Sequence, residues 1–314
     1  MRHGIYWIIC TCTALVIAVL ALRYVTGFWL LALVFSLHIH VALLAMAGAA
    51  LALFIRRGRT AAMLLVLSGA LFVHGIWMKY EITPAQRVAG EQDIAVRIIS
   101  FNLLASNFQN GDRIADMLLA SGADAAVLME AGPIRRHLNA LSAAYPHRVG
   151  CDTMRALCDL VILSKHPIRS ARFESLSDLR ADRFVLAELD VQGQQLHVAG
   201  VHLTKPYYDD YHWLELRDLS RHIADIGNRL VLAGDFNADS LALDMRYFLR
   251  RNAMTAAGWE PATWPVRAGR FGIAIDHIYL RDGLIPLGVT RLPDNLGSNH
   301  FGLVAEFAIP RQGT

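Results

Sequence analysis

The first acidic residue of this chain is Glu81. Ahead of it, Met1 to Tyr80 hold six basic residues (Arg2, Arg23, Arg56, Arg57, Arg59 and Lys79), no Asp and no Glu. The apolar residues of this segment fall into three runs, Ile5 to Val25, Phe28 to Ile55 and Ala61 to Met78. At a helical rise of about 1.5 Å per residue, each run suffices to cross a hydrocarbon layer of about 30 Å. A secretory leader would be one short apolar core before a small-residue cleavage site, which does not account for two further runs. Residues 1–80 are therefore expected to form an all-α transmembrane anchor of three helices, with the lipid bilayer as partner. Arg56, Arg57 and Arg59 lie in the short link between the second and third runs and should stay cytoplasmic. Arg2 supports that orientation and Arg23 opposes it; three crossings then put the remainder of the chain outside.

The basic balance of the whole chain belongs to this segment. With 30 Lys and Arg and 27 Asp and Glu in all, removal of the six early basic residues leaves 24 against 27, a formal charge of −3. A general nucleic-acid binder usually carries a concentrated positive field, so nucleic acid is not favoured as a partner. Of the four cysteines, Cys10 and Cys12 fall in the first apolar run. Cys151 and Cys158 either close a small disulfide loop, as an oxidising compartment allows, or remain two unpaired small residues.

Residues 81–93 turn polar, include Pro84 and Gly90, and read as a linker. From residue 94 to 314, β-branched runs of strand length alternate with helical periodicity. The expected strands are Val96 to Phe101, Ala125 to Met129, Leu160 to Leu163, Phe184 to Leu189, Leu196 to His202, Leu230 to Ala233, Ala274 to Leu280 and Val304 to Ile309. Gly193 and Gln194 suggest a hairpin between two of them. Helices are expected at Arg113 to Ala120 and Trp213 to Asn228, the latter with Leu216, Leu219 and Ile223 on its apolar face.

Several of these strands run directly into acids, amides and histidines: Ser100-Phe101-Asn102, Leu128-Met129-Glu130, Val201-His202, Gly234-Asp235-Phe236-Asn237-Ala238 and Ile275-Asp276-His277, with Ser298-Asn299-His300 just before the last strand. Catalytic groups commonly sit past strand ends. Together these motifs, in this order from Val96 to Phe307, resemble the endonuclease/exonuclease/phosphatase superfamily, which includes deoxyribonuclease I-like nucleases, abasic-site endonucleases, sphingomyelinases and inositol polyphosphate phosphatases. GDFNA is the most specific of them. Thr263-Trp264-Pro265 and the LSKHPI run at Leu163 to Ile168 are similar to features of bacterial members.

The resemblance implies a four-layer α/β sandwich, two facing β-sheets flanked by helices, behind the membrane anchor. It implies a phosphoesterase dependent on Mg²⁺ or Mn²⁺ and hydrolysing a phosphodiester or phosphomonoester of a phospholipid, a nucleic acid or a small molecule. Glu130 would be the principal carboxylate ligand, Asn102 would lie beside it, and hard oxygen ligands suit such an ion. Asp235 and Asn237 would position the attacking water and a phosphate oxygen. His202 and His300 would contact phosphoryl oxygens, with Asp276 orienting His300. His277, next to Asp276 on one strand, should point to the opposite face and pack. Where the family usually has Ser-Asp-His, Asn299 replaces the Asp near the metal, so the alternative is a catalytically weakened membrane interaction protein. Arg135, Arg136, Arg250 and Arg251 are candidate phosphate contacts, and Tyr207, Tyr208, Tyr211, His212 and Trp213 border either substrate, bilayer or a loop core. The expected location is a bacterial inner membrane, multi-pass, with the hydrolase domain extracytoplasmic.

Overall fold

The computed structural model describes residues 2–85, 87–151 and 158–311. Three long helices come first: α1 (Arg2–Ala21), α3 (His38–Ile55) and α4 (Arg59–Ile82), with the short α2 (Ala32–Ser36) between the first two. All three are long and apolar enough to cross a membrane. They pack through small residues: Ala45, Ala49 and Ala52 of α3 and Ala61 of α4 are buried among Tyr6, Cys10 and Ile17 of α1. Gly48 sits where an added Cβ would lie 2.6 Å from the Thr13 hydroxyl, so small side chains set the closeness of this pair.

Two six-stranded sheets follow. The first has the order β11 (Ile285–Arg291), β12 (Leu303–Ile309), β1 (Ile94–Asn102), β2 (Ala125–Met129), β4 (Leu160–Ser164), β3 (His147–Val149). The second runs β5 (Ile168–Glu174), β6 (Phe184–Val191), β7 (Gln194–His202), β8 (Leu230–Asp235), β10 (Asp276–Arg281), β9 (Met254–Ala256). Pairing is antiparallel except for β1 with β2 and β7 with β8 at the two sheet centres. Ile98, Val127 and Ile162 of one sheet meet Val185, Val198, Val231 and Ile278 of the other in the central core. The outer faces are covered too. Ile114 and Leu118 of α5 (Gly111–Ala120) and Leu141 of α6 (Leu138–Leu141) pack on the first sheet. Leu216 and Leu219 of α7 (Tyr211–His222) and Phe248 and Leu249 of α8 (Leu243–Arg251) pack on the second. This is the four-layer α/β sandwich the motifs implied.

The differences from expectation are local. The second apolar run does not form one helix: residues 28–37 fold into a 3₁₀ turn and α2, and the long helix begins only at His38. Composition alone could not separate these parts because Phe35 and Ala32 are buried as membrane residues would be, but in a connection between helices. The helix expected to reach Asn228 ends at His222, and α8 was not foreseen. Strands β3, β5, β9 and β11 lacked an apolar run; β5, for example, has the exposed residues Arg169, Ser170, Ala171 and Arg172. Cys151 and Cys158 are disulfide-bonded, with Cα atoms 4.6 Å apart.

Helix α4 also does not stop short of the linker. Its last turn enters the sandwich, where Ile82 joins the core under α7 and α8. Lys79 Nζ lies 2.8 Å from both Asp239 Oδ1 and Glu260 Oε2 and donates to Ser240 Oγ at 2.8 Å, all within buried surroundings. Glu260 in turn meets His277 Nδ1 at 2.5 Å, and burial, which raises its pKa, is outweighed by Lys79 and His277, so the carboxyl stays well below its usual range. Arg246 donates to the Met78 carbonyl at 2.8 Å and pairs with Glu81. Arg250 also reaches Glu81, at 3.2 Å, and Arg136 lies 3.5 Å from Asp112, so these two cations have intramolecular partners. Removing one member of a buried ion cluster leaves uncompensated charge and costs about 3–5 kcal/mol. Lys79→Ala should therefore lower the melting temperature of the full chain in detergent, and combining Lys79→Met with Asp239→Asn and Glu260→Gln should recover much of the loss. A Lys79→Ala protein that melts like the parent would exclude the cluster as a fastening of helix to domain.

Candidate active site

Strand register gathers the site. On the parallel β7–β8 pair His202 stands opposite Asp235, and on the antiparallel β8–β10 pair Asp276 stands opposite Asp235. Three residues from three strands thus share one row at the end of the second sheet. On the first sheet, Asn102 ends β1 and Glu130 directly follows β2, whose last residue Met129 is the register partner of Asn102. Glu130 and Asn237 both take positive φ, 50° and 53°, at the points where chain leaves strand for loop. Holding non-glycine residues there costs energy that the surrounding contacts must offset, a pattern common at functional sites. Gly234 has φ 152° and passes so close to β7 that an added Cβ would fall 1.9 Å from the Val201 carbonyl oxygen, which explains the glycine before Asp235.

The two halves are joined by hydrogen bonds. Asn102 Nδ2 donates to Asp235 Oδ2 at 3.0 Å and to Glu130 Oε1 at 3.3 Å, while its Oδ1 accepts from the Leu104 N–H at 3.0 Å. Glu130 Oε2 accepts from the Ala105 N–H at 2.6 Å. Asn102 thereby ties the two carboxylates together; offering its oxygen to a cation takes a half-turn of the amide. Ser298 Oγ donates to the Asn102 carbonyl at 2.7 Å and accepts from the His300 N–H at 3.1 Å, so the loop before β12 is fixed to the end of β1. Thr263 Oγ1 accepts from the N–H groups of Ile275 and Asp276 at 3.1 and 3.2 Å, fixing the start of β10.

Two carboxylate–imidazole pairs flank Asp235. His300 Nδ1 lies 2.8 Å from Asp276 Oδ2, and its Nε2 lies 3.9 Å from Asp235 Oδ2. His202 Nδ1 lies 3.0 Å from Asp159 Oδ2, and its Nε2 lies 3.8 Å from Asp235 Oδ2 and 3.9 Å from Glu130 Oε1. In each pair the carboxylate orients the ring and leaves Nε2 facing Asp235. Asp159 is the member that sequence reading missed. It precedes β4 in a segment with no apolar pattern of its own, and only the Asp-Leu step into the strand marked it. Burial raises the Asp159 pKa, but the His202 hydrogen bond and charge, with Arg183 behind them, bring it below its usual value.

His277 lies on the opposite face from Asp276, as alternation requires. It is buried, donates from Nε2 to the Ala238 carbonyl at 2.9 Å, meets Glu260 with Nδ1, and stacks on Tyr279 with ring centroids 5.0 Å apart. Its packing position is thus also part of the Lys79 cluster. Asn237 donates from Nδ2 to the Leu203 carbonyl at 2.9 Å, and its backbone N–H donates to Asp235 Oδ1 at 2.9 Å. Asn299 is exposed and borders a cavity together with Asn237 and His300. His212 is bound inward to Asp244 and the Phe236 carbonyl, whereas Tyr208 and Trp213 are exposed.

The donor set fits a hard divalent cation. Asp235, Asp276 and His300 offer atoms within 4.8 Å of one another, and Glu130 and the Asn102 amide adjoin Asp235. Asp276 Oδ1 is buried with no hydrogen-bond partner among the described residues, an unsatisfied oxygen in a site of concentrated negative charge. Carboxylate and amide oxygens are the donors Mg²⁺-like ions take.

Burial by itself lowers the pKa of His300, yet Asp276 and then Asp235 raise it to about 9 in the metal-free protein. Because this exceeds the unfolded value of 6.5, the associated stability is fully present below about pH 6.5 and is lost as pH rises through about 9. Asp276→Asn leaves burial less opposed, so the His300 ring should deprotonate at lower pH. Imidazole nitrogen shifts by NMR in chelator-treated protein measure this, and an unchanged midpoint would remove Asp276 as the partner charge.

Comparison with known proteins agrees with this architecture. The family model described as Endonuclease/Exonuclease/phosphatase family matches residues 99–300. A search of curated protein sequences gives no match. Among solved structures, sphingomyelinase C from Streptomyces griseocarneus is similar at TM-score 0.53 and 17% identity, covering 69% of this chain and 99% of that one. D. rerio TDP2 complexed with single strand DNA product gives TM-score 0.56 and 17% identity, over 68% of this chain and 98% of the other. A family protein from Bacteroides thetaiotaomicron gives 0.56 and 14%, over 70% and 100%. At such identities the likeness is one of fold. The family match spans most of the sandwich and every strand end described above except the last strand itself, and the chain belongs to the Endonuclease/Exonuclease/phosphatase family of phosphoester hydrolases.

Proposed function

We propose that this chain is a membrane-anchored phosphoesterase that uses Mg²⁺ or Mn²⁺ to hydrolyse a phosphodiester or phosphomonoester by in-line attack of water. The observation that carries the reading is the placement of Asp235 between two carboxylate-oriented imidazoles, with Asn102 and Glu130 completing an oxygen-rich wall. Glu130 and Asn102, with Asp235 or Asp276, would hold the cation, which when bound neutralises phosphoryl charge. The remaining work falls to side chains. Asp235 Oδ2 accepts a proton from the attacking water. His300, kept cationic at neutral pH with Asp276 on Nδ1, donates from Nε2 to a phosphoryl oxygen, and His202, its Nδ1 held by Asp159, faces the ester from the other side. Asn237 lines the same cavity and orients the ester.

The alternative of a weakened enzyme finds little support in Asn299, because the substituted side chain is exposed on the cavity rim while the carboxylate cluster behind it is complete. The reading places the sandwich on the extracytoplasmic side of a bacterial inner membrane. The Arg56 to Arg59 turn at the far end of the helices, the three spans and the Cys151–Cys158 disulfide support that side.

The full chain in detergent should hydrolyse bis-para-nitrophenyl phosphate with Mg²⁺ or Mn²⁺ and lose the activity to chelator. Asp235→Ala and His300→Ala should each lower kcat about 10²- to 10⁴-fold with little change in KM, and Glu130→Gln should weaken metal binding by calorimetry. Near-normal kcat in both alanine variants would reject the assignment. For topology, a C-terminal alkaline phosphatase fusion should be active in cells; an inactive one beside a bright C-terminal cytoplasmic fluorescent reporter would reverse the orientation.

A further inference from the structure

The connection between the first two long helices is part of the active-site wall. Leu33 and Ser36 of α2 line one small cavity, about 50 Å³, together with Asn237, Asn299 and His300. The same cavity is closed on its other sides by Pro206, Trp264 and Ile273, and Lys205 stands at its edge. Lys205 is exposed and has no ion-pair partner among the described residues. The α2 wall is held in place, not merely adjacent. Ser36 Oγ accepts from the Asp239 N–H at 3.3 Å, and Arg23 donates to the Leu241 carbonyl at 3.0 Å while lying 5.8 Å from the Phe35 ring centroid. Asp239 to Leu241 is the stretch directly after the Asp235–Asn237 motif.

The helix ends fix the level of this cavity. The end of α1, the start of α3 and the end of α4 all meet the sandwich: Arg23 contacts Leu241, His40 Nε2 contacts the Phe271 carbonyl at 3.0 Å, and Lys79 contacts Asp239. If these helices cross a bilayer, as their length and composition allow, the cavity opens at its surface. Phe28, Leu30, Tyr208, Trp213, Tyr247 and Phe271 are exposed on the anchor connection and on the domain. Phe28 and Trp29 share a second cavity with Trp213 and Tyr247, bordered also by Asp209 and Asp210, so aromatic side chains of anchor and domain meet there. Exposed aromatics of this kind favour the lipid–water interface.

We infer that the substrate is an amphiphilic phosphoester drawn from the bilayer, its phosphoryl group between His300, Asn237 and Lys205 and its apolar chain along Leu33 and Ile273. This rests on the phosphoesterase reading above. The wall beside the reacting centre carries Leu33 and Ile273 next to Ser36 on the side that leads to the helices, and its basic side chains are His300 and Lys205, which suits one phosphate attached to a chain and not a run of phosphates.

The test uses the full protein in detergent with Mg²⁺ and two soluble probes, methyl para-nitrophenyl phosphate and dodecyl para-nitrophenyl phosphate. Each buried methylene contributes about fourfold to binding, so kcat/KM for the dodecyl ester should exceed that for the methyl ester at least about 100-fold. Leu33→Asp should reduce this ratio at least tenfold, and Leu33→Ala should reduce it less, with melting curves confirming that both variants fold; reading the ratio cancels any general loss of activity. Equal kcat/KM for the two esters, or a ratio that Leu33→Asp leaves unchanged, overturns the inference and leaves the phosphoesterase reading standing. So does a single-stranded oligonucleotide cleaved with higher kcat/KM than the dodecyl ester. No turnover of either ester or of para-nitrophenyl phosphate with Mg²⁺ or Mn²⁺ overturns both.

Discussion

Everything at the reaction centre depends on the register of three strands. With β7 parallel and β10 antiparallel to β8, His202, Asp235 and Asp276 come abreast because each is the strand residue at the same level of the sheet. A slip of one residue on either flank would turn its functional side chain to the opposite face. The sequence guards against it by burial: the residues alternating with these three, such as Val201 and Gly234, lie in the tightest packing of the domain, where Gly234 leaves no room for a Cβ. The first sheet contributes Asn102 and Glu130 from the only parallel pair it contains among the described residues. Both sheets therefore bring functional residues from their central parallel pairs, whose strands are covered on two faces.

Much of this was legible in sequence because it is local. A strand end followed by an acid or amide is visible without knowing what it faces, and eight runs of β-branched residues gave the strands that carry the site. Partners supplied by loops were not legible. Asp159 precedes its strand with no pattern that separates it from an ordinary turn residue, and Thr263 and Ser298 lie in recognisable motifs that do not reveal their hydroxyls as the groups that fix the backbone. The same limit applies to Phe28 to Ser36, which read as membrane helix because its residues are apolar. Ala32 and Phe35 in it are buried in a connection between helices that meets the sandwich, a tertiary fact that periodicity cannot carry. Edge strands such as β5 escaped for the complementary reason, since residues exposed to water lose the alternation by which strands are recognised.

The helices and the sandwich are less separable than a tether and its cargo. Lys79 supplies the positive charge for Asp239 and Glu260, and Glu260 in turn holds His277, the neighbour of Asp276 on β10. A chain of buried contacts thus leads from the last turn of α4 to the strand that orients His300. Buried ions in low dielectric tolerate little displacement, because the attraction that offsets their desolvation falls off when geometry is lost. A linker alone would impose no such requirement. If the helices cross a membrane, as proposed, this geometry keeps its surface and the reacting group at a set distance.

Charge at the centre gives a physical reading of Asn299. Asp159, Glu130, Asp235 and Asp276 lie within one small region, balanced by His202, His300 and Arg183. A divalent cation relieves the excess of carboxylate, but an approaching phosphoester is itself anionic and must pass the rim on which Asn299 is exposed, near Lys205. A carboxylate on that rim would repel the substrate while standing apart from the carboxylates that the amide of Asn102 ties together. An amide there keeps hydrogen-bonding capacity without the repulsion. In the proposed mechanism the departure from the family's usual Asp therefore acts on how substrate enters, with Glu130, Asp235 and Asp276 remaining behind it.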